Sequence, residues 1–253
     1  MCILFIAINQ HPKHPLIVAA NRDEFYQRPT KSAFFWPKPL DILAGQDLQA
    51  GGTWLGVNKY GQFAALTNIR TLIDKDKQLT SRGELVPKAL LDNIINEQWL
   101  VNNCHNYHPF NLIYQQDKRF YCFNSLQKQS IILTDGFHAI CNGSLDDKWP
   151  KMSKGEQLLE QAIIQHQSLN IELLFQLLQD KSQAPDELLP DTGVGIDWER
   201  LLSSIFIESE TYGTRSSALV FSHLNDTIDF IEQSYAPSGD IFNKRHFVLT
   251  STI

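Results

Sequence analysis

A chain that opens Met1-Cys2-Ile3-Leu4-Phe5-Ile6-Ala7-Ile8 has to bury its own beginning. The run from Cys2 to Ile8 is apolar and gives way to the polar, proline-containing stretch His11-Pro12-Lys13-His14-Pro15. A second apolar run, Leu16 to Ala20, follows at once. Short apolar runs joined by a turn read as paired strands, so the spacing predicts a hairpin that starts at residue 2 and lies in the core. The opening run is too short to span a bilayer, which takes about 20 apolar residues as a helix. No positive region precedes it, so it lacks the shape of a signal peptide, and a cytoplasmic protein without a membrane span is expected.

Beyond the hairpin the chain reads as strands, then helices, then strands. Trp54–Val57 and Gln62–Thr67 flank the turn Asn58-Lys59-Tyr60-Gly61, whose Asn and Gly tolerate positive φ. Ser81 with Glu84 forms a capping box ahead of Leu85, Ala89, Leu90 and Ile94, predicting a helix over 82–95. Short strands are expected at Asn111–Tyr114, Phe120–Asn124, Ser130–Leu133 and His138–Cys141. Lys148-Trp149-Pro150-Lys151 reads as a helix entry, Ser153 with Glu156 repeats the capping box, and Leu173–Leu178 begins again after Asn170, so two helices follow. Residues 183–198 are rich in Pro, Asp and Gly and read as an exposed loop able to cover a pocket. Ile205–Ile207, Ser217–Phe221, Thr227–Glu232 and Phe247–Leu249 close the chain as strands, with Asn225-Asp226 as a hairpin turn. Sheet at both ends with helix between suggests sheets packed against helical layers. At 253 residues, with no repeat or linker, a single domain over 1–253 is expected.

Composition narrows the function. The net charge is -6, with no basic run to neutralise phosphates, which argues against a nucleic-acid binder. Cys2, Cys104, Cys122 and Cys141 are widely spaced with no C-x-x-C pair, which fits a reducing compartment. Cys104-His105 with His108 has donor types a metal uses, but no second cluster matches it, so a structural loop and no metal site are expected. His11 and His14, each followed by Pro, read as turn residues.

Cys2 carries the chemistry. Removal of Met1 ahead of so small a residue would free an α-amine with a reference pKa of ~7.7–8.0 beside a thiol of ~8.5, giving one residue both nucleophile and base. The alternative is a small hydrophobe in a buried first strand. Asn21-Arg22-Asp23-Glu24 ends the second strand of the hairpin, which returns it beside Cys2. There an Arg would stabilise a thiolate and a carboxylate would orient the amine; otherwise the four residues are a solvated turn. Thr67-Asn68, Asn142-Gly143 and Gly213-Thr214-Arg215-Ser216 sit at strand ends, where Asn side chains serve as oxyanion donors and an Arg fixes carboxylates, or where they simply turn the chain.

Together these pieces resemble the NRDE family, also called the Transport and Golgi organisation protein 2 family. The resemblance rests on the Met-Cys start, Ala20-Asn21-Arg22-Asp23-Glu24, Gly51-Gly52-Thr53-Trp54-Leu55-Gly56, Thr67-Asn68, Cys141-Asn142-Gly143, Trp149-Pro150-Lys151 and Gly213-Thr214-Arg215-Ser216. That family is similar to the cysteine branch of the amino-terminal nucleophile (Ntn) hydrolases, which includes penicillin V acylases and bile salt hydrolases. The resemblance implies an α+β fold, a four-layer α-β-β-α sandwich, and cleavage of non-peptide linear amides. By it Cys2 matches the nucleophile, Arg22 the arginine after the second strand, Asn68 and Asn142 the asparagines near the oxyanion, and Arg215 the late arginine. In the acylases the amine-orienting aspartate lies three residues after that arginine, whereas position 25 here is Phe, which leaves Asp23, Glu24 or neither for that role. Two functions are implied: an amidohydrolase acting on a small-molecule amide without a cofactor, and a non-catalytic carrier on the same fold with haem or a lipid as ligand.

Overall fold

The structure, a computed structural model, describes residues 2–38, 40–71, 79–91, 95–165 and 168–250. Met1 and residues 92–94 of the helix expected over 82–95 lie outside them.

Two antiparallel sheets form the middle of the molecule. The first contains β1 (Cys2–His11), β2 (His14–Phe25), β10 (Gly136–Ile140), β11 (Tyr212–Ser222), β12 (Thr227–Tyr235) and β13 (Ile241–Thr250), in the order β10-β1-β2-β11-β12-β13. The second runs in sequence order through β3 (Thr30–Phe35), β4 (Ile42–Asp47), β5 (Leu55–Asn58), β6 (Phe63–Asn68), β7 (Phe110–Gln116), β8 (Arg119–Asn124) and β9 (Gln129–Leu133). The opening run thus becomes a central strand, as its apolar character requires.

Strand alternation assigns the layers. Cys2, Leu4, Ile6 and Ile8 point from β1 into a core shared with Leu55, Val57, Phe63 and Ile113 of the second sheet. Ile3, Phe5 and Ala7 point the other way, onto Met152 and Leu159 of α3 (Pro150–Ile164) and Leu174 and Phe175 of α4 (Ile171–Leu178). The outer face of the second sheet, including Ala64, Leu66 and Leu112, packs on Leu85 and Leu90 of α1 (Leu85–Leu91) and Leu100 of α2 (Glu97–Asn103). Three cores between four layers make an α-β-β-α sandwich. At Gly155 an added Cβ would overlap the Phe5 ring, so α3 rests directly on β1. Among the described residues no helix is long and apolar enough to cross a membrane.

Several boundaries move. β3, β4 and α2 had no counterpart in the sequence reading. Ile205–Ile207, expected as a strand, is a bend whose side chains are buried. α3 starts at Pro150, with Trp149 at its N-cap, so Ser153 and Glu156 lie inside the helix. Proline at the first helical turn has the required φ and no N–H to leave orphaned, and it starts the helix ahead of the capping box. Ser81 does cap, accepting from the Gly83 N–H, but Glu84 pairs with Lys88 instead of reaching back. Within the expected loop 183–198, α5 (Ile196–Leu201) begins, and its Glu199 is buried against Arg70 at 2.6 Å.

Candidate active site

The hairpin register places Cys2 opposite Arg22, and β11 lies along the other side of β2 with Asp23 opposite Thr214 and Arg22 opposite Ser216. Where β1 begins, a cavity of about 100 Å³ opens between the sheets, lined among others by Cys2, Arg22, Asp23, Trp54, Asn68 and Arg82. Hairpin pairing therefore unites residues 20 positions apart in the chain, and the second sheet adds Trp54 and Asn68 from across the sandwich.

Burial dominates the electrostatics. It pushes the Cys2 thiol up to about 11, against the opposing pull of the amino-terminal charge and Arg22, so the thiol is neutral near pH 7. The Arg22 guanidinium lies 4.2 Å from the Trp54 ring centroid, and its Nη1 donates to Thr30 Oγ1 at 2.8 Å. Burial also raises Asp23, with the amino-terminal charge as the largest opposing influence. Asp23 Oδ1 accepts from Thr214 Oγ1 at 2.7 Å. Glu24 turns instead toward Arg28, 3.8 Å away.

Asn142 and Arg215 do not line this cavity. Asn142 Nδ2 donates to the Asn68 carbonyl at 2.9 Å, and the Asn142 carbonyl accepts from the Arg70 N–H at 2.8 Å. Asn111 Nδ2 adds a bond to the Gly143 carbonyl at 2.7 Å. The Asn142-Gly143 segment, which follows β10, therefore ties the first sheet to the end of β6 in the second and holds Asn68 in place. Arg215 is the extra residue where the β2–β11 register shifts between Thr214 and Ser216. Such a bulge turns one residue out of the ladder. Arg215 Nη1 donates to the carbonyls of Phe25 and Arg28 at 3.0 Å each, so it pins the turn after β2 rather than sitting beside Cys2.

Sequence reasoning overlooked Arg82, Arg28 and Asp47. Arg82 was hidden inside a capping signal, yet its side chain lines the cavity while its Nη1 donates to the Pro109 carbonyl at 2.9 Å. Burial lowers it to about 10. Gly52 positions it: a Cβ there would collide with the Gly83 backbone, and the neighbouring Thr53 N–H donates to the Gly83 carbonyl at 2.9 Å. Among the described residues no group of three or more His, Cys, Asp or Glu can hold a metal ion. A larger cleft of about 930 Å³ opens at the far end of β1, near Ile8 and Asn9, away from Cys2.

This four-layer α-β-β-α sandwich is a fold that solved structures also show. The crystal structure of the C2A mutant of the conjugated bile acid hydrolase from Clostridium perfringens shares it with a TM-score of 0.52, covering 98% of this chain and 92% of that one at 8% identity. The chain belongs to the Transport and Golgi organisation 2 family, whose model matches residues 1–237. Relatives include the human Transport and Golgi organization protein 2 homolog, 34% identical, and the mouse protein, 33% identical. Each alignment covers 92% of this chain and 93% of the relative.

Proposed function

We propose that the chain is a cysteine-type Ntn amidohydrolase with Cys2 as nucleophile. The observation that carries this reading is the convergence of Cys2, Arg22, Asp23 and Asn68 on one cavity at the amino end of a central strand. Once Met1 is removed, the α-amine of Cys2 takes the thiol proton. Sulfur attacks the amide carbonyl, and the Asn68 side chain with nearby backbone N–H groups receives the oxyanion. Collapse breaks the C–N bond, the α-ammonium returns its proton to the leaving amine, and a thioester remains. Water then gives a proton to the α-amine and its oxygen to the acyl carbon; the C–S bond breaks, the thiol regains the proton, and the carboxylic acid leaves. Asp23 orients the amine. Asn142 and Arg215 act as positioning residues, through Asn68 and through the turn after β2. The chemistry calls for no cofactor and for a reducing compartment such as the cytoplasm, where Cys2 stays a thiol.

The test joins mass spectrometry to turnover. Protein from its native host should lack the mass of one methionine, and Cys2→Ala should abolish hydrolysis of any amide that the unmutated chain cleaves. A population wholly retaining Met1 refutes the amine as base. Free Cys2 with no turnover across a broad amide panel removes the enzyme reading altogether. The carrier reading draws on a different observation, the 930 Å³ cleft, whose volume falls in the range of pockets that enclose drug-sized ligands. A haem or lipid held there would bind equally well to the Cys2→Ala chain.

A further inference from the structure

We propose that the Cys2 cavity recognises an anion, so that, granted the hydrolase reading, its substrates are amides whose short acyl group ends in a carboxylate held by Arg82 and Arg22. These are monoamides of short dicarboxylic acids.

Three arginines line the cavity: Arg22, Arg28 and Arg82. Arg28 is neutralised within the protein, since its Nη2 lies 2.6 Å from Asp47 Oδ2 and its Nε 3.8 Å from Glu24. Asp23 is engaged by Thr214, and the amino-terminal charge opposes the rise that burial gives its carboxyl. Among the described residues neither Arg22 nor Arg82 has a carboxylate within the 4.0 Å of an ion pair. Arg22 donates to one hydroxyl and Arg82 to one carbonyl, whereas each guanidinium carries five N–H donors. Glu24, the acid whose charge reaches both, stands outside contact and serves Arg28. Nor does Cys2 balance them, because its buried thiol is neutral near pH 7.

Arg22, buried, and Arg82, half-buried, face one cavity without an ion pair of their own, and a ligand that brings negative charge there would be favoured. Guanidinium groups match carboxylate oxygens in geometry, and a carboxylate bound by two of them is the arrangement that satisfies their free donors. The cavity sets the length. At about 100 Å³ it has room for a carboxylate and a short carbon link to the reacting carbonyl. The leaving amine then has to extend toward solvent, so selectivity falls on the acyl side. The glycine contact between Gly52 and Gly83 holds Arg82 in register with Cys2, which gives the Gly51-Gly52-Thr53-Trp54 motif a role in substrate recognition.

Two measurements test this, and neither needs amide turnover. Iodoacetate and iodoacetamide differ by one negative charge and both alkylate thiols by displacing iodide. The rate ratio of iodoacetate to iodoacetamide at Cys2, mapped by peptide mass, should exceed the same ratio for glutathione by about tenfold, since charges a few ångströms apart in a partly dry site interact strongly. Arg82→Gln should return the ratio to the glutathione value, while Arg82→Lys, which keeps the charge, should preserve most of it. Saturating succinate should also raise the melting temperature by about 2–4 °C, and neutral succinamide should not. The succinate shift should persist in Cys2→Ala and vanish in Arg82→Gln. Equal ratios in the unmutated chain, or a succinate shift that survives Arg82→Gln, overturns the anion site. Inert Cys2 with an intact, Arg82-dependent succinate shift would instead refute the nucleophile and leave the anion site standing.

Discussion

Glu232 makes the stability of this fold depend on pH in an unusual direction. It lies on β12, 1% exposed, with Oε1 accepting the Ala33 N–H at 2.7 Å. Burial pushes its carboxyl from 4.5 to about 7, against the pull of Ala33, Arg245 and Arg22. An unfolded chain loses this proton near pH 4.5 and the native chain keeps it until about pH 7, so in that window the native state binds more protons. Stability contributed by the neutral carboxyl is therefore fully present below pH 4.5 and lost as pH rises through about 7. The gap between the two values corresponds to a loss on the order of 3 kcal/mol. Glu232→Gln keeps the shape and cannot ionise. Urea unfolding of both proteins at about pH 4.5 and about pH 8 isolates the effect, because every other titrating group cancels in the difference. The unmutated chain should lose about 3 kcal/mol more than the variant over that range. Parallel pH profiles would refute the reasoning.

Other substitutions probe the packing and the braces. Gly155→Ala forces a methyl into the Phe5 ring and should cost about 1–3 kcal/mol in denaturant unfolding. Arg70→Met leaves Glu199 charged and buried without its 2.6 Å partner, so a loss of about 3–5 kcal/mol is expected by the same assay. Asn142→Ala removes the bond to the Asn68 carbonyl and should destabilise by about 1–3 kcal/mol; on any amide that the unmutated chain is found to cleave, kcat should fall with KM little changed.

The elements that could be read from sequence are those whose local signal agrees with their place in the fold. β1 and β2 are apolar on both faces because both faces are covered, and the Asn58-Lys59-Tyr60-Gly61 turn has Gly61 at φ 78° as expected. β3 and β4 escaped because Trp36-Pro37-Lys38-Pro39 separates two six-residue strands and imitates a loop, and because β3 is an edge strand with a shifted register. Ile205–Ile207 misled because burial and strand pairing leave the same apolar mark; its backbone bonds go elsewhere, the Phe206 N–H to the Asp180 carbonyl at 2.8 Å. In the site, position along the hairpin sufficed to bring Arg22 to Cys2. Nothing local could show that Asn142 serves Asn68 or that Arg215 bulges out of its ladder, since both depend on pairings between distant strands. Arg82 belonged to a segment whose capping pattern explained it fully without a cavity.

The strand order of the first sheet also governs the timing of assembly. β1 and β2 leave the ribosome first, yet their outer neighbours β10 and β11 begin only at residues 136 and 212. The second sheet, by contrast, is one continuous meander from residue 30 to residue 133 and can close as it is made. During synthesis this apolar hairpin therefore waits with both edges unpaired until β10 is made, and with one edge unpaired until β11 is made. Pairings this distant in sequence are slow to form and exposed to aggregation in the interval. Truncation before β11 should thus yield a chain that sticks to chaperones rather than a smaller stable protein. A nucleophile at residue 2 therefore sits on a hairpin whose second edge is covered only once β11 has been made.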